Sequence, residues 1–335
     1  MSRAIWFKGI GYGAVLALAL LLPSLVDAYH LNLLTEVLIF GIFAMSLNLL
    51  TGYTGLVSLG HAAFFGVGAY AASLALIHLS TNLFLSLLFG VLFSLMLAAV
   101  VGFFSTRVHG FYFLMLTLAF SQMVYALAYR WSGLTGGDNG LAGVPKPSLP
   151  GGPVIGQPHQ LFYLTLSVFV LVVIALSIFL SSPFGRALVG IRENEVRMQA
   201  VGYPTVLYKN IAFIVSGSLA GLAGSLYAYL NGFVSPKELY WTMSGEVLFM
   251  VLIGGAGTLF GPVLGAAFIL LLKTWVSSYT DLWMMVVGAA FILFVIFVPG
   301  GLAGLFRSMV DRAARWTATR TTHEWKEGLE NGRSL

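Results

Sequence analysis

The 335-residue sequence contains no cysteine and very little charge. Without thiols it can form no disulfide and can offer neither a thiolate nucleophile nor a cysteine metal ligand. Only 9% of its residues are charged, against roughly 25% in an ordinary soluble domain, whereas 59% are hydrophobic and the mean hydropathy is +0.92. This composition excludes an ordinary soluble domain and indicates an integral membrane protein.

The motifs of several common enzyme families are also missing. No G-x-x-x-x-G-K-[ST] occurs, so the chain cannot hold ATP phosphates in a P-loop, and neither H-E-x-x-H nor G-x-S-x-G is present. The six histidines are scattered without the spacing of metal ligands. We therefore expect no catalytic residue, no metal site and no cofactor in this chain.

Apolar stretches long enough to span a bilayer recur along the chain. A spanning helix needs about 20 apolar residues. The sequence predicts such helices near residues 9–26, 33–50, 62–79, 83–106, 111–129, 161–181, 210–230 and 282–299. Residues 244–272 are apolar but interrupted at 254–262, so they form one re-entrant hairpin or two tilted crossings. The expected fold is an all-α integral membrane protein with 8–10 transmembrane helices.

Lysine and arginine are distributed unevenly between the two predicted sides. With the N-terminus inside, thirteen of the 17 basic residues lie on the inner side, and inner loops are the ones enriched in these residues. The bias predicts cytoplasmic termini and a cytoplasmic segment at 183–209. Alternatively, cleavage of a signal peptide after Ala28 would leave the new N-terminus outside.

These features divide the chain into three predicted parts. Residues 1–32 form an N-terminal helix and outer loop, residues 33–300 a transmembrane domain, and residues 301–335 a basic cytoplasmic tail. The outer loop at 131–160 contains eight glycines and five prolines. It is either a passive connector or a docking surface for an external partner.

Glycine-rich segments at 51–60 and 254–262 interrupt the apolar runs, and broken or re-entrant backbone is expected there. Unwound backbone at membrane depth is tolerated only inside protein or beside a water-filled cavity. Paired breaks point to a substrate path between related halves, whereas G-x-x-x-G at 217/221 and 261/265 favours close helix packing. Both interpretations remain open. The candidate path residues are Asn48, Gly52, Gly55, Gly60, His61, Gln122, Glu246, Gly254, Gly255 and Gly257.

Ionisable residues inside the apolar segments are few. An ion-driven carrier needs such groups near the membrane midplane, and the candidates are Glu36, His61, Glu246 and Asp281. Each has a structural alternative, because broken backbone nearby offers polar partners.

The cytoplasmic segment 182–210 is predicted to contain one amphipathic helix with end signals at both termini. Ala187, Leu188, Ile191, Met198 and Val201 form its apolar stripe, opposite Arg186, Arg192, Glu193 and Arg197. Glu195 and Asn194 lie on or beside the stripe. A buried carboxylate needs a partner, and this chain does not obviously supply one. We expect the helix to enter a groove on a cytoplasmic partner, with Glu195 meeting a cation there. The alternative is a helix on lipid headgroups.

Four stretches together resemble the LivM-type permease subunits of branched-chain amino acid ABC transporters. They are "SLNLLTGYTGLVSLGHAAFFGVGAY" (46–70), "FYFLMLTLAFSQMVYALAYRWSGLTGGDNGLAGVP" (111–145), "SPFGRALVGIRENEVRMQAVGY" (182–203) and "SGSLAGLAGSLYAYLNGFVSP" with "SGEVLFMVLIGGAGTLFGPVLGAA" (216–267). The resemblance spans most of residues 33–300.

The resemblance implies a subunit of the bacterial inner membrane that is not itself an enzyme. Its implied partners are a second, LivH-type permease, two ATPases that bind ATP and Mg²⁺, and an external substrate-binding protein, with lipid around it and no nucleic acid. Alternatives are a urea- or amide-type ABC permease and an ion-coupled carrier acting alone. The amino acid carried is not specified.

The resemblance also makes residues 186–202 the segment that couples to the ATPase. Its candidate coupling residues are Arg186, Ile191, Arg192, Glu193, Asn194, Glu195, Arg197 and Gly202. The segment departs from the E-A-A-x-x-x-G pattern of ABC importers, since Val196 and Arg197 follow Glu195 and Gly202 stands one place further on.

Overall fold

The computed structural model describes residue 23 and residues 26–280, 282–298 and 300–305. The predicted helix at 9–26, the signal-peptide alternative and the tail beyond residue 305 fall wholly or almost wholly outside these ranges. In chain order, the helices are α1 (Ala28–Thr51), α2 (His61–His78), α3 (Leu83–Ser105), α4 (Phe111–Arg130), α5 (Ser132–Thr135), α6 (Pro158–Ser181), α7 (Pro183–Glu193), α8 (Glu195–Ala200), α9 (Thr205–Asn231), α10 (Trp241–Gly254), α11 (Gly261–Ser277) and α12 (Trp283–Phe297).

Within the described ranges, six helices are long and apolar enough to cross a membrane: α1, α2, α3, α4, α6 and α9. The shorter apolar helices α10, α11 and α12 follow. Two-residue strands β1 (Leu141–Ala142) and β2 (Phe233–Val234) pair antiparallel. The prediction of an all-α integral membrane protein is confirmed.

The centre of the fold is α9, which packs against α1, α2 and α3. Small residues allow this packing: a Cβ placed on Gly224 would lie 1.9 Å from the Phe65 carbonyl oxygen, and one on Gly68 would lie 2.2 Å from the Gly221 carbonyl oxygen. Where apolar lipid replaces water, helices associate through such close packing and through hydrogen bonds between them. The Ser86 hydroxyl supplies one such bond, 2.5 Å from the Tyr229 hydroxyl.

The two G-x-x-x-G motifs both mark helix contacts. In the motif at 217/221, a Cβ on Gly221 would lie 2.1 Å from the Ser94 hydroxyl oxygen of α3. In the motif at 261/265, a Cβ on Gly265 would lie 1.8 Å from the Met250 carbonyl oxygen, so α11 packs directly on α10. The packing interpretation of these two motifs is confirmed.

Residues 244–272 form a hairpin of α10 and α11 with an irregular turn at 255–260. Fourteen residues give α10 a length of about 21 Å, shorter than the roughly 30 Å hydrocarbon core of a bilayer. Another irregular segment, at 52–60, separates α1 from α2. Both predicted breaks are therefore present.

The glycine-rich loop at 131–157 folds over the ends of three helices. Its strand β1 pairs with β2, and the backbone of Ser148 bonds to Thr81 and Leu83 at the turn between α2 and α3. Lys146 Nζ donates to the carbonyl oxygens of Tyr229 (2.6 Å) and Leu230 (3.2 Å) at the end of α9. The loop is thus a bonded cover rather than a loose connector.

Candidate coupling and translocation site

The segment that the sequence predicts to be cytoplasmic contains two helices, α7 and α8, rather than the single predicted one. The Ser182 hydroxyl caps the start of α7 by accepting from the Gly185 N–H. Asn194 then leaves the helical conformation (φ −159°, ψ 96°), and its side-chain oxygen accepts from the Arg197 N–H at 2.9 Å to cap α8. Asparagine is among the best N-cap residues. The prediction of one continuous helix is therefore wrong at Asn194.

This break changes which apolar residues face the protein. Ala187, Leu188 and Ile191 are buried against the rest of the chain, as predicted for the stripe. Val201, predicted on the same stripe, is 70% exposed, and Val196 is 75% exposed. The phase of the stripe is lost at Asn194, so α8 and the turn after it present an apolar surface to solvent.

Glu195 has partners within its own chain, which corrects the expectation that it lacks one. Its Oε1 lies 2.6 Å from Nζ of Lys209 and accepts from the Thr205 hydroxyl at 3.0 Å. Its Oε2 lies 3.4 Å from Nε2 of His109, in the loop between α3 and α4. The turn that brings α8 back onto α9 contains Gly202, whose φ of +93° favours glycine.

Burial of Glu195 acts to raise its pKa, but the hydrogen bond and the positive charge of Lys209 outweigh burial. With further help from Thr205 and His109, they hold the pKa of this carboxyl below its usual value. Glu195 is therefore ionised at neutral pH. The carboxylate holds α8 against α9 through Lys209, so its positively charged partner is within this chain rather than on another protein.

Arg192 connects the end of α7 to the first broken segment. Its Nη1 donates to the carbonyl oxygen of Gly52, the residue that ends α1. Its side chain also packs on Gly55, where an added Cβ would lie 3.2 Å from Arg192 Cγ. Gly55 has a φ of +75°, so the turn requires glycine for its conformation as well.

Asn48 connects the first broken segment to the second. Its Oδ1 accepts from the Gly257 N–H at 2.9 Å, and its Nδ2 donates to the Thr258 carbonyl oxygen at 2.8 Å. The segments approach so closely that a Cβ on Gly52 would lie 2.4 Å from the Gly257 nitrogen. The two glycine-rich segments, about 200 residues apart in sequence, are in direct contact. We call Asn48, Gly52, Gly55, Arg192 and Gly257 the inner junction.

His61 is fully buried at the start of α2. Its Nε2 lies 2.7 Å from the Ser216 hydroxyl, and its Nδ1 lies 3.2 Å from the Ser58 hydroxyl. Ser216 donates its one hydroxyl proton to the Ser46 carbonyl oxygen, so it can only accept from His61. His61 therefore carries a proton on Nε2 and donates it to Ser216 of α9, while its Nδ1 contacts Ser58 of the first broken segment.

The remaining candidate residues are placed separately from the inner junction. Glu246 on α10 lies 3.5 Å from Lys273 on α11 and is therefore not an isolated charge. Gln122 is partly buried on α4. Gly60 packs on α4, since a Cβ there would lie 2.7 Å from the Thr117 carbonyl oxygen.

Gly254 and Gly255 shape the turn between α10 and α11. A Cβ on Gly254 would lie 2.0 Å from the Gly261 carbonyl oxygen, and Gly255 has a φ of +113°.

The remaining candidate coupling residues lie on α7 and α8. Arg186 donates to the Ser181 carbonyl oxygen at 2.8 Å, whereas Glu193 and Arg197 are exposed.

The arrangement provides a mechanical connection and no reactive cluster. In the part of the chain that the structure describes, no three His, Cys, Asp or Glu side chains are grouped to hold a metal ion. The segment formed by α7 and α8 is tied to two broken segments among apolar helices. Six of these helices are long enough to span a bilayer, which defines a multi-pass membrane protein.

Residues 29–295 match the family model described as branched-chain amino acid transport system / permease component, and the chain belongs to this family. It is 29% identical over 316 residues to the high-affinity branched-chain amino acid transport system permease protein LivM of Salmonella typhimurium, covering 88% of this chain and 74% of that protein. The Escherichia coli protein of the same name gives the same identity and coverage. The autoinducer 2 import system permease protein LsrC of Photorhabdus laumondii is 28% identical over 74% of this chain and 75% of its own length. No solved structure matches the chain.

Proposed function

We propose that this chain is the permease subunit of an ATP-driven importer for branched-chain or related amino acids. It forms the translocation path with a second permease, in the bacterial inner membrane with both termini in the cytoplasm. Separate ATPases bind ATP and Mg²⁺, and an external protein delivers the substrate. The membrane fold, the family and the missing P-loop support this assignment.

The observation that carries the proposal is the two-sided cytoplasmic segment. One side is fastened to the chain through Arg192 and Glu195, and the other presents Val196 and Val201 to solvent. Exposed apolar side chains next to charged neighbours are typical of a docking surface. Force applied there by a partner would reach the inner junction.

The test is a mild-detergent purification of the chain with whatever protein accompanies it, analysed by mass spectrometry. We expect a second hydrophobic permease and P-loop ATPases. A V196E/V201E double variant should lose the ATPases while the purified chain retains its folded helix content, because two charges would be buried against the partner. The control is Val154→Glu, at another exposed valine, in the loop at 131–157.

Recovery of the chain alone, under conditions that preserve other membrane complexes, would contradict the proposal. Uptake into proteoliposomes driven only by an ion gradient would support the ion-coupled carrier instead. The hydrogen bonds of His61 and the ion pair of Glu246 do not favour that alternative, because both groups already have partners.

A second candidate is import of a different small solute. The autoinducer 2 permease relatives favour it, because they align over about three quarters of the chain. Competition of leucine uptake by urea, simple amides and autoinducer 2 distinguishes these substrates. If excess isoleucine or valine inhibits leucine uptake and these other solutes do not, the amino acid assignment is supported.

A further inference from the structure

The inner junction joins three separate pieces of chain at one side chain. Arg192 lies in the last turn of α7, Gly52 is the C-cap residue that follows α1, and Gly257 lies in the turn between α10 and α11. The Arg192 guanidinium donates to Gly52, and a Cβ on Gly257 would lie only 3.1 Å from Arg192 Nη1. One planar cation thus bonds to the first broken segment and lies beside the second.

Electrostatics favours this position for the guanidinium. The last carbonyl groups of a helix have no partner within the helix and carry the negative end of its dipole. Arg192 places a permanent positive charge at that end of α1, and its fork of N–H donors is rigid. The contact is therefore directional, whereas a flexible lysine would supply charge without the same geometry.

The glycines leave little freedom for the contact to slide. Arg192 lies against Gly55, and no side chain at Gly52 or Gly257 separates the two segments. The two Asn48 hydrogen bonds then hold the turn at 257–258 to the end of α1. A displacement of α7 would therefore move both broken segments together.

We propose that Arg192 is the positioning residue that transmits movement of the cytoplasmic segment to both broken segments at once. This inference rests on the proposed function for its source of movement. Arg192 acts through the two segments and need not touch the transported solute.

The first experiment measures coupling in the purified assembly with its ATPases and second permease. Solute imported per ATP hydrolysed should fall about tenfold in Arg192→Ala, the order expected for losing a hydrogen bond to a charged group. Arg192→Lys should give an intermediate value, because it restores the charge without the fork. The control is Arg107→Ala, which removes a positive charge that lies over the Phe103 ring, outside the inner junction.

An unchanged ratio in Arg192→Ala would overturn the proposal. Loss of the ATPases from Arg192→Ala would also overturn it, because Arg192 would then be a partner contact rather than a transmitting residue.

The second experiment needs neither ATPase nor uptake and so remains informative if the importer function is wrong. Because the sequence contains no cysteine, V189C and F260C introduce the only two thiols for spin labels on α7 and at the start of α11. Electron paramagnetic resonance of the purified chain should give a narrow distance distribution, broadened by Arg192→Ala and unchanged by Arg107→Ala. A distribution that Arg192→Ala leaves unchanged would show that the guanidinium does not hold these elements together.

Discussion

Lys209 Nζ lies 2.6 Å from Glu195 Oε1, and only 1% of the Lys209 side chain is exposed, against 21% of the Glu195 side chain. The pair joins α8 to the N-terminal part of α9 and fixes α8 on the spanning helices. Its unequal burial has measurable consequences for stability.

We expect Glu195→Gln to destabilise the chain more than Lys209→Met. Glu195→Gln leaves a buried ammonium without its counter-charge, which costs about 2–3 kcal/mol for a partly exposed pair. Lys209→Met leaves a carboxylate that water and Thr205 can still solvate, which costs about 1 kcal/mol. Denaturant unfolding of the purified chain measures both values. Glu193→Gln, at an exposed neighbouring carboxylate, is the control. Equal losses from the two variants would contradict the unequal burial.

The pH dependence of stability follows from the lowered pKa of Glu195. A carboxyl whose pKa is lower in the folded state contributes stability that is fully present above its unfolded pKa of about 4.3 and is lost as pH falls through the folded value. Unfolding measured from pH 7 down to pH 3 should therefore show a loss below about pH 4.3. The same titration of Glu195→Gln should lack that part of the loss.

Gly224→Ala should prevent folding, because its Cβ would lie 1.9 Å from the Phe65 carbonyl oxygen and backbone on both helices would have to separate. Gly245→Ala is the matched control in another apolar helix: beyond its chain neighbours and the backbone of its own helix, no atom lies within 4 Å of its added Cβ, so stability should rise by about 0.5–1 kcal/mol. Yield of monodisperse protein after detergent extraction tests the first variant, and thermal unfolding tests the second. Normal yield from Gly224→Ala would show that α2 and α9 are less closely packed.

Lys146→Met should loosen the outer cover. The amino group of Lys146 bonds two carbonyl oxygens at the end of α9, and burial lowers the pKa of this group below the usual lysine value. Proteinase K added from the outside should cut residues 131–157 several-fold faster in this variant. The loop must open locally before it is cut, and without Lys146 this opening does not require the two hydrogen bonds to break. Lys237→Met removes an exposed lysine from the same side and should leave the rate unchanged. Equal cutting rates would show that the other loop contacts suffice.

The proton on Nε2 of His61 is open to direct measurement. We expect ¹⁵N nuclear magnetic resonance of histidine-labelled protein to show one Nε2–H imidazole, because Ser216 can only accept from that nitrogen. Ser216→Ala removes the acceptor and should change this signal, whereas Ser218→Ala, which removes a hydroxyl bonded within its own helix, should not. An Nδ1–H signal in the wild-type chain would reverse the assignment.

Apolar length and glycine content predicted the helices and both breaks well. The predicted ends of α1 and α9 were less accurate. Helix α9 begins at Thr205 rather than near residue 210, because its first residues are helical although they precede the apolar run. The packing role of Gly221 and Gly265 was also predictable, since small residues four apart mark close helix contacts.

The partners of individual side chains were not predictable. Glu195 lies fourteen residues before Lys209, and only the break at Asn194 and the turn at Gly202 turn the two side chains toward each other. Contact between Asn48 and Gly257 depends on how α1 meets the α10–α11 hairpin, which no local pattern encodes.

The sequence alone determined that this chain lies in a membrane, where its two glycine-rich breaks fall, and that it contains no P-loop motif, because hydropathy, glycine placement and motif content are local properties. Tertiary structure decided that the two breaks meet, that Arg192 reaches both, and that Glu195 is already paired. These contacts depend on helix packing between residues far apart in the chain, and in a bilayer that packing is governed by close steric fit and interhelical hydrogen bonds rather than by hydrophobicity alone.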